Sequence, residues 1–184
     1  MNIIETPIKD LFIIEPKLWK DNRGYFYESY SAREFAKAGI DAIFVQDNQS
    51  LSQKGTLRGL HAQAAPFAQG KLVRVIQGSV LDIAVDIRKK SNTYGQTFSI
   101  VLSEENHQQL WIPPGFLHGF LTLEDHTIFT YKVTNYYDKN SELGVIWNDP
   151  TLKINWTTEI NENEFLLSEK DLILPEFKSF ESPF

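Results

Sequence analysis

Two histidines lie in settings that could carry chemistry. His61 sits in GTLRGLHAQ, after Gly55 and Gly59, and His118 in IPPGFLHGF, after a Pro-Pro-Gly turn. Glycines permit tight turns and close backbone approach, which suits a pocket rim. An imidazole there can take or give a proton near neutrality, although each is equally readable as a hydrogen-bonded structural histidine. His107 and His126 stand among acids in turn-like contexts and are expected at the wet surface. Lys71, after Gln69-Gly70 at the start of a strand, would meet an anion or a developing oxyanion if it points inward. If it points outward it neutralises a surface carboxylate, and alternation does not separate the two. Arg58 and Arg23 (in DNRGYF) carry the planar fork that suits phosphate, yet an Arg before Gly is also an ordinary turn residue. Tyr131 reads as a proton donor or a core tyrosine. Tyr137 and Phe26 either line a mouth or pack, and Asp171, in the acidic LLSEKDLILP, would ordinarily be solvated.

The elements that must hold these residues have a period of two. In 80–88, Leu81, Ile83, Val85 and Ile87 alternate with Asp82, Ala84, Asp86 and Arg88, which predicts a strand with one wet or solute-facing side. Segments 71–76, 97–102 and 127–133 read likewise, the last with Phe129, Tyr131 and Val133 on one face. Shorter strands are expected at 11–14, 24–29, 43–46, 109–112 and 117–123. Ser31-Ala32-Arg33-Glu34 has the form of a capping box opening a helix that Gly39 would stop. A second short helix is expected at 161–170, with Phe165 and Leu166 inward. Many short strands and little helix indicate a sandwich or barrel.

Composition narrows the classes. The 184 residues suit one domain. The absence of Cys excludes disulfides, a thiolate metal site and a cysteine nucleophile. Net charge is −6, of which residues 159–184 hold −5, and no basic run is present, so nucleic acid is not expected as a partner. No apolar stretch reaches signal-peptide or membrane-spanning length, giving the expectation of a cytoplasmic protein with no membrane partner.

The spacing G-x5-H-x-Q followed by P-x-G-x-x-H resembles the two motifs of the cupin superfamily. Metal-binding cupins carry His-x-His and a Glu in the first motif. Here Gln63 replaces the second ligand and no Glu follows in 64–78, so no metal is expected. The ordered segments FVQDNQS, LRGLHAQ, QGKLVRVIQG, DIAVDIR, QLWIPPGFLHGF, YKVTNYY and LSEKD are similar to those of dTDP-4-dehydrorhamnose 3,5-epimerases, over residues of about 4 to about 174.

The resemblance implies an all-β cupin jelly roll (double-stranded β-helix) with short flanking helices. It spans 1–184 as one domain, whose C-terminal segment from about 159 packs back over the barrel and whose end drapes or frays. It implies a cofactor-free double epimerisation of dTDP-4-dehydro-6-deoxy-D-glucose, the step before the final reduction in dTDP-L-rhamnose synthesis. His61 then matches the base, Asp171 its supporting acid, Tyr131 the donor on the opposite face and Lys71 the cation near the substrate oxygen. Arg23 and Arg58 match diphosphate contacts, while Phe26, Glu28, Gln46, Asn48 and Tyr137 match the nucleotide and sugar pocket, and His118 a second pocket histidine. A homodimer is implied, with Arg23, Phe26 and Glu28 supplied across the interface. Where many members have an aromatic after the motif histidine, this chain has Ala62, which alters the pocket only if it points inward. A single-carbon epimerase would carry nearly the same apparatus, and a non-catalytic cupin binder would not need His61, Lys71, Tyr131 and Asp171 together.

Overall fold

In the computed structural model, which describes residues 1–156 and 159–184, the chain folds into antiparallel strands. In chain order these are β1 (Asn2–Glu5), β2 (Phe12–Glu15), β3 (Trp19–Asp21), β4 (Gly24–Phe26), β5 (Gln46–Ser52), β6 (Leu57–Gln63) and β7 (Lys71–Gln77). They continue as β8 (Ser79–Asp86), β9 (Thr97–Ser103), β10 (Gln109–Ile112), β11 (Phe116–Thr122), β12 (Thr127–Val133) and β13 (Glu142–Gly144). A six-stranded sheet in the order β1-β2-β10-β7-β12-β5 faces a five-stranded sheet in the order β13-β6-β11-β8-β9, and β3 with β4 forms a separate hairpin. Apart from β1–β2 and β8–β9, neighbours in each sheet are distant in sequence, the arrangement of a jelly roll.

Apolar side chains divide into three layers. Between the sheets, Val73, Val75, Ala84, Leu102, Phe116, Phe120 and Phe129 form the inner core. Leu81, Ile83, Val85 and Ile87 point the other way, beneath a C-terminal cover of Val145, Leu152, Trp156, Ile160 and Phe165. The polar side of β8 is therefore the one that faces the interior. On the outer face of the larger sheet, helix α1 (Ala32–Lys37) seats Phe35 against Ile14, Leu72 and Trp111.

Several expectations are corrected. No strand covers 43–45; pairing begins at Gln46, and β5 runs to Ser52. Its inward positions, opposite Val133, Tyr131, Phe129 and Thr127, are Gln46, Asn48, Ser50 and Ser52, so the hydrophobic alternation that marks a strand is missing there. Ser31 makes no side-chain cap; Glu34 bonds Lys37 and Arg33 instead. The helix expected at 161–170 is only a 3-10 turn at Glu162–Glu164. Beyond it Leu166 bridges Thr56 in parallel fashion and is 49% exposed rather than inward, although Phe165 is buried. The last residues are tied down: Ser182 donates to the Ile87 carbonyl, and the Lys89 N–H donates to the Phe184 carbonyl at 3.0 Å. His107 is partly covered, its ring packing on Tyr25 and Tyr27 with centroids at 4.8 and 5.4 Å, while His126 is exposed as expected.

One close approach fixes the geometry of β6. Gly59 has φ +125°, and a Cβ there would lie 2.5 Å from Gly119 Cα and 2.8 Å from the His118 carbonyl oxygen. Both are backbone atoms that cannot swing aside. Gly59→Ala is expected to cost roughly 2–4 kcal/mol, from backbone strain and overpacking together. Urea unfolding checks this, and an unaltered midpoint would contradict it.

Candidate active site

A cavity of about 520 Å³ opens between the two sheets. The smaller sheet contributes Arg58, His61, His118 and Phe120, the larger Gln49, Ser50, Lys71, Phe129 and Tyr131, and the C-terminal segment Leu166, Ser168, Lys170 and Asp171. Arg58 and His61 are three positions apart and would face opposite ways in a regular strand. A register shift in the β6–β11 ladder, between His118 and Phe120, lets both line the cavity. His61 and His118 are cross-strand partners there. Ala62 faces the other way, into the cluster under the C-terminal cover, so the missing aromatic takes no bulk from the pocket.

Asp171 reaches the site because its segment is pinned on both sides. Before it, the Leu57 N–H donates to the Leu166 carbonyl and the Leu166 N–H to the Gly55 carbonyl; after it, the Ile146 N–H donates to the Pro175 carbonyl. The turn at Asp171–Ile173 then places the carboxylate Oδ1 2.5 Å from His61 Nε2. The Asp171 side chain is 4% exposed and that of His61 26%, so the pair has a dry end and an open end. Burial pushes the Asp171 carboxyl up, but the hydrogen bonds from His61 and Ser168 and the charge of Lys170 outweigh it, and the group sits below its ordinary value. It is thus a carboxylate. It fixes the neutral imidazole as the Nε2–H tautomer and leaves the Nδ1 lone pair as the proton acceptor.

A second histidine–carboxylate pair is more deeply buried. His118 Nε2 lies 2.9 Å from Asp82 Oδ2, with side-chain exposures of 7% and 0%. Burial lowers the His118 pKa against the opposing pull of Asp82, which keeps this ring neutral, with Nε2–H donating. Lys71 enters from the opposite sheet. Burial drops its ammonium from 10.5 to about 8, while the Asp82 and Glu142 carboxylates hold it up. Tyr131, on the strand beside Lys71, has its phenol raised by burial against the opposing charge of Arg58. At neutral pH it is a protonated acid. Arg58 reaches Ser52 Oγ at 3.4 Å and otherwise aims its guanidinium at the cavity.

The mouth carries a chain that sequence reasoning missed in part. Tyr137 OH donates to Glu142 Oε2 at 3.3 Å, and Lys170 Nζ pairs with Glu142 Oε1. Glu142, Lys170 and Asp82 were not singled out. The only signals were the wet face of β8 for Asp82 and the Lys-Asp pair for Lys170. Gln46 and Asn48 share the inward face of β5 with Tyr131 across the ladder, Gln46 Nε2 donating to Asn48 Oδ1 at 2.7 Å. Asn48 borders a separate cavity of about 380 Å³ together with Arg74 and Thr130.

The structure does not bring Arg23, Phe26 and Glu28 to this cavity. Arg23, 85% exposed, pairs with Asp21 at 2.6 Å on the β3–β4 hairpin. Phe26, 66% exposed, leans on Trp19 with ring centroids at 5.9 Å. Glu28 is exposed just beyond. Among the described residues no three His, Cys, Asp or Glu side chains are grouped to hold a metal ion, and both cavity histidines already spend Nε2 on a carboxylate.

The sequence profile of a family described as dTDP-4-dehydrorhamnose 3,5-epimerase matches residues 5–179. An enzyme of that description from Shigella flexneri is 50% identical over 173 residues, covering 94% of this chain and 93% of its own. The crystal structure of a dTDP-4-dehydrorhamnose 3,5-epimerase from Elizabethkingia anophelis superposes with a TM-score of 0.93 at 47% identity, covering 97% of each chain. A dTDP-6-deoxy-D-glucose-3,5-epimerase from Legionella pneumophila, solved in complex with dTDP-4-keto-L-rhamnose, gives 0.92 at 48% identity over 98% of this chain and 94% of that one.

The lowered value of Lys71 has a consequence for stability. A lysine whose folded value lies below its unfolded one opposes folding wherever both states are charged, here below about pH 8. The opposition fades between about 8 and about 10.5, where the folded state sheds its proton first. Lys71→Met is therefore expected to be more stable than the parent at neutral pH, by roughly 1–3 kcal/mol, with the gap closing toward high pH. Denaturant unfolding at several pH values measures it; a less stable variant at neutral pH would show that Lys71 is not carrying a burial cost.

Proposed function

Because this chain belongs to the dTDP-4-dehydrorhamnose 3,5-epimerase family, we propose a division of labour among its cavity residues for the reaction that it catalyses. It is an isomerase of dTDP-4-dehydro-6-deoxy-D-glucose, inverting C3 and C5. The C4 ketone acidifies the hydrogens on both carbons, so each inversion is a proton removed from one face and a proton returned from the other. The reaction then needs a base, an acid across from it and a positive charge near O4.

His61 Nδ1 is the base, and Asp171 stabilises the imidazolium as it forms. Tyr131 stands on the facing sheet and is protonated at neutral pH, so it delivers the new hydrogen. Lys71, charged below about pH 8, stabilises the enolate oxygen, while His118, its Nε2–H spent on Asp82, steadies the carboxylate that helps Lys71 keep its charge. Arg58 takes the diphosphate, and Gln46, Asn48 and Tyr137 hold the nucleotide and sugar side. The observation that carries this reading is the 2.5 Å His61–Asp171 bond in a cavity whose opposite wall presents Tyr131.

The remaining residues fit a homodimer. Arg23 and Phe26 lie on an exposed aromatic hairpin, and Glu28 just beyond it, away from their own cavity, and a second copy would bring them to it as diphosphate and nucleotide contacts. Among the described residues no helix is long and apolar enough to cross a membrane. A cytoplasmic location, with a dTDP-sugar as the partner molecule, is the reading consistent with a cysteine-free sequence.

Proton NMR of the substrate incubated with the enzyme in D₂O tests the scheme. Deuterium is expected at both C3 and C5, falling by about 10²–10⁴-fold in His61→Ala. Exchange at one carbon would reduce the activity to a single epimerisation, and full exchange in His61→Ala would remove His61 as the base. The rate should also fall above about pH 8 as Lys71 loses its charge.

A further inference from the structure

Gln63 takes the second position of the His-x-Gln pattern, and nothing in the proton chemistry uses it. It is 5% exposed. A carboxamide has two N–H donors and one oxygen acceptor. Here Nε2 donates to the Phe67 carbonyl at 2.7 Å and to the Tyr136 carbonyl at 3.0 Å, and Oε1 accepts from the Asp138 N–H at 2.8 Å.

Two of those backbone groups have a special relation. The Tyr136 carbonyl belongs to the peptide unit entering Tyr137, and the Asp138 N–H to the unit leaving it. One buried side chain therefore grips the planar peptide on each side of the Tyr137 Cα. Since each unit is rigid, holding both fixes φ and ψ of Tyr137 and hence the direction of its Cα–Cβ bond. Tyr137 itself is 58% exposed, and among the described residues its hydroxyl bonds Glu142 Oε2 at 3.3 Å. Neighbouring bonds tie the same loops at other points: Gln69 Nε2 donates to the Asn135 carbonyl at 2.8 Å and Asn135 Nδ2 to the Pro66 carbonyl at 2.9 Å. Neither touches the peptide units of Tyr137.

We infer that Gln63 is a positioning residue, whose carboxamide aims Tyr137 at the nucleotide and so sets affinity for the dTDP portion of the substrate without entering the proton transfers. The inference rests on the placement of Tyr137 at the nucleotide side given above. Losing the grip leaves the chemistry intact but makes binding bear the entropy of ordering the aromatic.

The test is a double-mutant cycle between Gln63→Met, which keeps length and loses all three bonds, and Tyr137→Ala. It is read by dTDP calorimetry and by steady-state kinetics. Gln63→Met is expected to raise the dTDP Kd and the KM by about tenfold while kcat stays within about twofold. In the Tyr137→Ala background the same change should have little further effect. If Gln63→Met does not fold, Gln63→Glu, which keeps the acceptor for Asp138 and loses both donors, carries the same comparison. Additive losses, or a fall in kcat at constant KM, would overturn the inference. Unchanged dTDP affinity in Gln63→Met beside weakened affinity in Tyr137→Ala would overturn the role of Gln63 alone. Unchanged affinity in Tyr137→Ala would remove the binding role of Tyr137, and the route from Gln63 with it.

Discussion

The hydrogen bond between His61 and Asp171 joins residues 110 positions apart, and most of the architecture serves to close that span. The C-terminal segment must cross the outer face of the five-stranded sheet and turn back at the cavity with its carboxylate inward. The apolar faces of β6, β8 and β11 supply the adhesion, through Leu60, Ile83, Val85 and Leu121 beneath Trp156, Ile160 and Phe165. Ladder-like bonds at Leu166 and Pro175 then fix the position of the turn between them. The hydrophobic cover thus doubles as the delivery arm of the carboxylate that bonds His61.

Electrostatics decides what the enclosed groups can do. Two histidine–carboxylate pairs occupy adjacent positions but differ in openness. In His61–Asp171 the imidazole is 26% exposed, whereas in His118–Asp82 the imidazole borders the same cavity but is only 7% exposed. In the proposed scheme that difference in accessibility separates a proton carrier from a fixed dipole, although the two pairs have the same composition. Lys71 stands opposite, its charge kept only by the Asp82 and Glu142 carboxylates against burial. A lysine held this way is costly to the fold and close to releasing its proton, properties that suit an oxyanion partner more than a structural cation.

Legibility followed physics element by element. Strands with an apolar alternation, such as β8 and β12, could be read directly. β5 could not, because its inward side chains, Gln46, Asn48, Ser50 and Ser52, are polar, with Ser50 lining the cavity and Ser52 meeting Arg58 at its wall, so the apolar signature of a strand is missing. Segment 161–170 reads as helical but forms only a 3-10 turn at Glu162–Glu164, beyond which Leu166 bridges Thr56 and Phe165 joins a hydrophobic cover that local sequence does not reveal. Among site residues, His61, Lys71, Tyr131 and Asp171 each had an ordinary alternative, and residue type alone left both readings open. Their grouping became readable only through the order of the seven segments. Glu142 and Lys170 form a contact that no spacing rule reaches, since their separation in sequence is set by the return of the tail.

The central claim is that base and acid stand on opposite walls, His61 on β6 and Tyr131 on β12. The most direct measurement is the stereochemical outcome at the exchanging carbons in Tyr131→Phe, followed by NMR in D₂O. With the acid gone and the base intact, solvent deuterium should enter C3 or C5 with the original configuration retained and little inverted sugar formed. Loss of exchange and inversion together, or normal inversion without the phenol, would contradict the two-wall account.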